Sequence, residues 1–215
     1  MQYTHMPLVS SHSVDTRPAQ IHEPAGHFEY EIILVTQGEV SATIGHRTYR
    51  LSRGSLVFVG RLESHSFLIR QVPYARYVSI FSSDKLLENI RDNRLLSIFI
   101  CRPESFRHVI MLDEDTLARL EPLFEQLCRE YRDQAPFYLS KCASLLNLLL
   151  IELYRYDPGA FPEWSNSSTQ TAVVAAQRYM AENFRRPLTL GEVAAHTFVT
   201  PHTLSLAFGK TIGRT

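Results

Sequence analysis

The spacing of apolar residues changes period part-way along this chain, and that change limits the fold more than any other feature. Up to about Phe81 the apolar residues fall in short β-rich runs: Ile32–Thr36, Val40–Ile44, Thr48–Leu51, Leu56–Val59, His65–Ile69 and Arg76–Phe81. Turn formers separate them at Gln37-Gly38, Gly45-His46, Ser52–Gly54, Gly60–Ser64 and Pro73. Short strands punctuated this often predict a barrel or sandwich of hairpins, which a strand over Phe106–Leu112 would complete.

From Asp115 the period becomes helical. Leu117, Leu120, Phe124, Leu127 and Tyr131 recur at alternating steps of three and four. After a break at Asp133–Pro136 the same alternation returns in Leu139, Cys142, Leu146, Leu149, Leu153 and Tyr156. Two such helices joined by a short turn predict an antiparallel hairpin. The second also carries Leu145, Leu148 and Ile151, so it is apolar on more than one face. One stripe can pack on the partner helix. The other predicts a homodimer contact through Leu139, Leu146, Leu149 and Leu153, the alternative being that both are intramolecular core.

Tyr156 to Thr169 is rich in Pro, Gly, Asn, Ser and Thr, as a linker between domains is. The organisation expected is an α+β chain with a first domain over 1–156, a linker over 157–169 and an all-α domain over 170–215. Net charge is zero over 215 residues, but Ser165–Thr215 holds five Lys/Arg against two acids, a mild bias compatible with nucleic acid at the tail. The greasiest stretch, Leu145–Leu153, is broken by Asn147 and Glu152, so no spanning helix and no membrane partner are expected. Met1–Ser13 lacks a basic segment followed by an apolar one, and the three cysteines include no CxxC pair. Both point to a reduced, cytoplasmic protein.

The tail reads as two capped helices behind a longer one. Ala172–Phe184 is amphipathic and is stopped by Arg185-Arg186-Pro187. Thr189-Leu-Gly-Glu192 has the form of a capping box. Thr200 is a second N-cap with Pro201 at the first helical position. Short helices, a tight connection and apolar Val193, Val199, Leu204 and Phe208 predict a helix-turn-helix. In such a unit the second helix enters the major groove of DNA. Its outward residues His202, Thr203, Ser205 and Leu206 would face base edges, with Thr200, Pro201 and Lys210 near phosphates.

Residues 179–213, from Tyr179-Met-Ala-Glu-Asn-Phe through Pro187-Leu-Thr-Leu, Val193-Ala and Thr200-Pro to Phe208-Gly-Lys-Thr-Ile-Gly213, resemble the first helix-turn-helix of the AraC/XylS family of bacterial transcriptional regulators. In that family a linking helix and a second helix-turn-helix follow. The resemblance therefore implies a regulator fragment whose partner is promoter DNA, present here without its second motif. Where the family often carries a long polar or basic side chain this chain has Leu206, and where it carries Lys or Arg this chain has Gly209. Weak DNA binding by this chain alone is expected.

His27-Phe-Glu-Tyr-Glu31 through Gly38, with Tyr49–Gly60 and His65, resembles the small cupin-like β-barrel of the same family, which implies an effector-binding domain for a small molecule or a protein partner. Strand alternation puts His27, Glu31, Ile33 and Val35 on one face, and His65, Phe67 and Ile69 on one face. Turned inward, these make an apolar vessel with a few polar hooks: His27, Glu31 and His65, with Arg17 from an N-terminal arm beside Ile33 and Phe67. Metal-binding cupins carry a His-x-His-x3/4-Glu cluster and a distant His. Here His27, Glu31 and His65 fill all but the first, where Ala25 stands. The alternative is thus a cupin metalloenzyme with His27, Glu31 and His65 as ligands. A third possibility is that the histidines are hydrogen-bonded core. The regulator reading expects no catalysis, no cofactor and no resident metal.

Overall fold

The structure, a computed structural model, describes residues 8–23, 29–61, 63–82, 90, 92–103, 105–164, 167–183 and 185–212. In chain order the strands are β1 (Leu8–Asp15), β2 (Gln20–Glu23), β3 (Tyr30–Ile44), β4 (Arg47–Leu51), β5 (Ser55–Val59), β6 (His65–Phe81) and β7 (Val109–Met111). Helix α1 (Asn93–Ile100) lies between β6 and β7. The others are α2 (Glu114–Asp133), α3 (Tyr138–Tyr156), α4 (Ser168–Asn183), α5 (Leu190–His196) and α6 (Pro201–Ile212). Residues 1–91 and 107–158 form one compact unit, and residues 92–106 and 159–215 a second.

The sheet of the first unit is antiparallel in the order β1-β6-β3-β5-β7, with β2 also on β6 and β4 on β3. Residues 30–36 of β3 and all of β5 are buried on both faces, which is why these stretches read as continuous rather than alternating apolar runs. The turns expected at Gln37-Gly38 and Pro73 are corrected by the structure. Both lie inside single long strands, β3 and β6, paired along their length. The ladder shifts register between Val35 and Val40, so Gly38 is a bulge and not a chain reversal. At φ 81° Gly38 occupies the left-handed region, and a Cβ there would lie 2.6 Å from the carbonyl oxygens of Gln71 and Pro73. Only glycine lets β6 come that close. The turn at Gly45-His46 does join β3 to β4, and the strand expected over Phe106–Leu112 forms as the shorter β7. Strands β1 and β2 had no counterpart in the sequence reading.

Helix α2 starts where Asp113 accepts a hydrogen bond from Thr116 N–H at 2.7 Å, with Glu114 and Asp115 in its first turn. It packs on β1, β6 and α3 through the expected stripe, Leu117, Leu120, Phe124 and Leu127, all fully buried. A polar seam runs beside it: Ser10 Oγ lies 2.9 Å from Ser79 Oγ and 3.3 Å from Cys128 Sγ. The proposed dimer stripe on α3 is corrected. Leu149 and Leu153 are 0% exposed and Leu146 4%, Leu139 is half-buried, and Leu145 and Leu150 are buried as well. The stripe proposed for dimerisation is therefore largely covered inside the chain, while Leu148 of the other stripe stays exposed. What the pair of helices leaves exposed is Phe137 and Leu148.

In the second unit Ala176, Val193, Ala194 and Leu204 pack with Tyr179, Met180, Val199 and Phe208 as one core. Phe184, the last residue of the expected amphipathic segment, lies outside the described residues. Helix α1, with Leu95, Leu96, Ile98, Phe99 and Ile100 buried, belongs to this unit although its sequence falls between two strands of the other. Arg102 follows it. Its backbone N–H donates to the Thr211 carbonyl at the end of α6 (2.6 Å), and its buried guanidinium donates to the Ile98 and Cys101 carbonyls and lies over the Phe106 ring. Ala160 and Phe161, within the expected linker, are buried.

Replacing Gly38 by Ala should destabilise the chain by about 3 kcal/mol, through the positive φ and the two carbonyl contacts together. The check is a urea midpoint that falls at unchanged slope. A midpoint matching the wild type would mean that the bulge is not close-packed.

Candidate functional site

The interior of the strand unit is built by alternation. Ile33 and Val35 point into one core cluster, and after the bulge the phase resets so that Val40, Ala42 and Ile44 point into the same cluster. Phe67 and Ile69 enter it from β6, as does Tyr74. Ile33 and Phe67, both expected to line the vessel, therefore meet. Glu31 is in phase with Ile33, and His65 with Phe67, and these two polar side chains form a pair. His65 Nε2 lies 3.2 Å from Glu31 Oε2, with side-chain exposures of 1% and 8%.

The partners fix the protons. His65 Nδ1 lies 3.0 Å from the Glu63 carbonyl oxygen, which can only accept, so Nδ1 carries hydrogen. Nε2 is therefore the ring nitrogen that faces the Glu31 carboxylate.

The same loop residue, Glu63, joins a second relay. The Tyr49 hydroxyl donates to His108 Nδ1 at 2.9 Å, and His108 Nε2–H donates to Glu63 Oε1 at 3.1 Å. The other Glu63 carboxylate oxygen accepts from the Gly60 N–H. Hydrogen bonds thus link half-buried Tyr49, His108 and the Glu63 carboxylate, while the main-chain carbonyl of Glu63 meets His65. Tyr49, Glu63 and His108 were not singled out by sequence, because each stands alone in its own segment.

Tyr74 was also missed. It is fully buried, its hydroxyl finds no hydrogen-bond partner among the described residues, and burial pushes that hydroxyl up to about 12, so it remains a donor. Arg76 lies over its ring, 4.8 Å away, and pairs with Asp15.

Of the other two expected hooks, Arg17 is exposed on the connection between β1 and β2, and His27 lies outside the described residues. Among the described residues no three His, Cys, Asp or Glu side chains converge to hold a metal ion. Glu31 and His65 lie against each other.

In the helical unit both expected caps form. Thr189 Oγ1 accepts from Glu192 N–H at 3.2 Å, and Thr200 Oγ1 from Thr203 N–H at 3.1 Å. Thr200, Pro201, His202, Leu206 and Lys210 are exposed, and Thr203 and Ser205 are half-buried. Leu206 is 62% exposed, and Phe198, in the turn before Thr200, is 95% exposed at φ 56°. Arg186 is committed within the unit: its guanidinium meets Glu192 Oε1 and, at 2.8 Å, the Tyr179 hydroxyl. Those two partners hold the Glu192 carboxyl down at about 2, against an ordinary value of 4.5.

Comparison with known proteins bears on both units. Residues 11–150 match the family model of the AraC-like ligand binding domain. No relative among curated proteins matches this chain. Among solved structures, ToxT from Vibrio cholerae strain SCE256 with unsaturated fatty acid bound superposes with a TM-score of 0.62 at 6% identity, over 100% of this chain and 77% of that one. ToxT from Vibrio cholerae O395 gives 0.57 at 8% identity, over 95% and 74%. The AraC-like transcriptional activator CuxR gives 0.49 at 12% identity, over 94% and 70%. At such identities the ToxT likeness is one of fold: an α+β, cupin-like architecture.

Two outcomes test these contacts. Glu31→Leu or His65→Leu alone should cost about 3 kcal/mol or more, because each strands a buried polar partner, while the double variant should cost less than the two singles summed. Strict additivity in chemical denaturation would dissolve the pair. For Glu192, the folded value lies below the ordinary one, so its contribution is fully present above pH 4.5 and fades as pH falls towards 2. The stability gap between wild type and Glu192→Gln should close over that window, and a gap independent of pH would contradict the assignment.

Proposed function

This chain belongs to the AraC-like ligand-binding family, and on that premise we propose that it is an effector-responsive, DNA-binding transcriptional regulator. The observation that carries the reading is the family match over residues 11–150. The strand unit, within residues 1–156, receives the effector. Residues 157–169 lead to a reader over 170–215, in which α5 and α6 act as a helix-turn-helix and α2 with α3 as an antiparallel hairpin.

Support for the reader comes from its caps and its exposed face. Pro201 and the Thr200 cap start α6 cleanly, leaving His202, Thr203, Ser205 and Leu206 toward base edges of promoter DNA and Lys210 toward phosphate. Support for the vessel comes from its chemistry: an apolar interior carrying Glu31, His65 and Tyr74 as polar hooks, alongside Ile33 and Phe67. ToxT, which shares the fold, has been captured with an unsaturated fatty acid, and an effector with an apolar body suits this interior as well. The effector acts by binding one arrangement of the protein better than another. The regulator works as a homodimer in the cytoplasm, and on the helical hairpin Phe137 and Leu148 are the large apolar side chains open to a second copy. Among the described residues no helix is long and apolar enough to cross a membrane. The metalloenzyme reading is not favoured, since the family model that matches is that of a ligand-binding domain.

The test is a mobility-shift titration on the native promoter at 50 and 200 mM salt. Binding should be weak, should fall as salt rises, and should place two chains on each operator. Leu206→Arg should tighten it several-fold and steepen the salt dependence by about one charge. Salt-independent binding, or no change in the variant, would count against α6 as the reading helix.

A further inference from the structure

We propose that the helical unit recognises the methyl group of thymine in the major groove, and that Leu206 is the side chain that reads it. This rests on α6 being the helix that enters the groove, and it names the base-pair feature that the helix selects.

Leu206 is not used by the core of its own unit. The inward side of α6 is made by Leu204, Phe208 and Thr211. Leu204 is buried with Ala176, Val193 and Ala194, Phe208 packs against that cluster, and Thr211 is buried. Among the described side chains of the helix the exposed ones are Pro201, His202, Leu206 and Lys210. His202, Leu206 and Lys210 follow one another at steps of four, so they form a single row on the side opposite Leu204 and Phe208. Thr203, beside that row, is engaged with the cap: its Oγ1 lies 2.8 Å from Thr200 Oγ1. The outward row is thus an imidazole, a leucine that is 62% exposed and an ammonium, on a helix whose sequence contains no acidic residue.

A row of this composition fits one kind of base pair at its centre. From His202 to Lys210 the helix rises about 12 Å, the length of roughly three to four base steps. The two polar ends can meet acceptors on base edges or phosphate oxygens. Leu206 between them can neither give nor take a hydrogen bond. Against the edge of guanine, adenine or cytosine it would cover ring nitrogens, carbonyl oxygens or amino groups and leave them unpaired, which costs more than the contact returns. Thymine offers the major groove a methyl group, and an aliphatic side chain gains by burying it. The preference that follows is a T·A pair beneath Leu206 in each site, flanked by positions read through hydrogen bonds.

The experiment uses the full chain and two versions of the native promoter duplex, one with thymine and one with deoxyuridine at every thymine position, which removes only the methyl groups. Fluorescence anisotropy at 50 mM salt should give a dissociation constant about fourfold higher on the uracil duplex for each chain bound. Leu206→Ala and Leu206→Arg should each bind the two duplexes equally, whereas Lys210→Ala should weaken both and keep their ratio. Restoring thymines one at a time to the uracil duplex should recover the difference at one position per site. Equal binding of the two duplexes by the wild type, with Lys210→Ala still weakening both, overturns the inference and leaves α6 as the reading helix. A thymine preference that persists in Leu206→Ala also overturns it, because the methyl is then read elsewhere. Equal binding that Lys210→Ala leaves unchanged removes α6 as the reading helix, and the inference with it.

Discussion

The ladder between β3 and β6 is the element on which the rest of the first unit is hung. Fifteen residues of one strand and seventeen of the other pair along their length, and every other strand of the sheet except β7 adds to one of them directly. A ladder that long cannot enclose a core unless it bends, and it bends where Gly38 sits against the Gln71 and Pro73 carbonyls. The bulge also resets the side-chain phase. Ile33 and Val35 on one side of it, and Val40, Ala42 and Ile44 on the other, therefore enter the same core, although simple alternation across the whole strand would send one set outward.

That geometry places the polar groups. Because Glu31 stands at the start of β3 and His65 at the start of β6, their meeting is a consequence of closure and not of local sequence. Both are out of water and lie against each other, and the carbonyl of Glu63 takes His65 Nδ1, which leaves Nε2 toward Glu31. The Glu63 carboxylate, His108 and half-buried Tyr49 form a separate run of hydrogen bonds beside them. The result is an apolar interior with a buried polar spot.

The helical unit is stabilised differently, by many small local terms around a small core. Two threonine caps, a Glu192 carboxylate shared by Arg186 and Tyr179, and a Tyr179–His196 ring stack 4.0 Å apart surround only four fully buried cluster residues. Its less expected member is α1. By sequence this helix interrupts the sheet region between β6 and β7, yet it belongs to the second unit, where the Arg102–Thr211 hydrogen bond ties the residue that follows it to the end of α6.

Local features were legible without coordinates, because they depend on neighbours in the chain. The caps at Thr189 and Thr200, the stripe Leu117–Leu120–Phe124–Leu127, the turn at Gly45-His46 and the inward phase of Ile33 and Phe67 all follow from spacing over a few residues. Gly38 and Pro73 read as turns for the same reason: the residues suit a reversal, and only the strand across the ladder shows that both belong to a bend. The second stripe of α3 likewise carries no mark saying whether its own chain or another copy covers it; burial of Leu146, Leu149 and Leu153 decided that. Tyr49, Glu63, Tyr74 and His108 became site residues only through contacts spanning tens of residues. Periodicity is a property of one segment, whereas a buried contact between two polar side chains exists only after closure has removed the water from both.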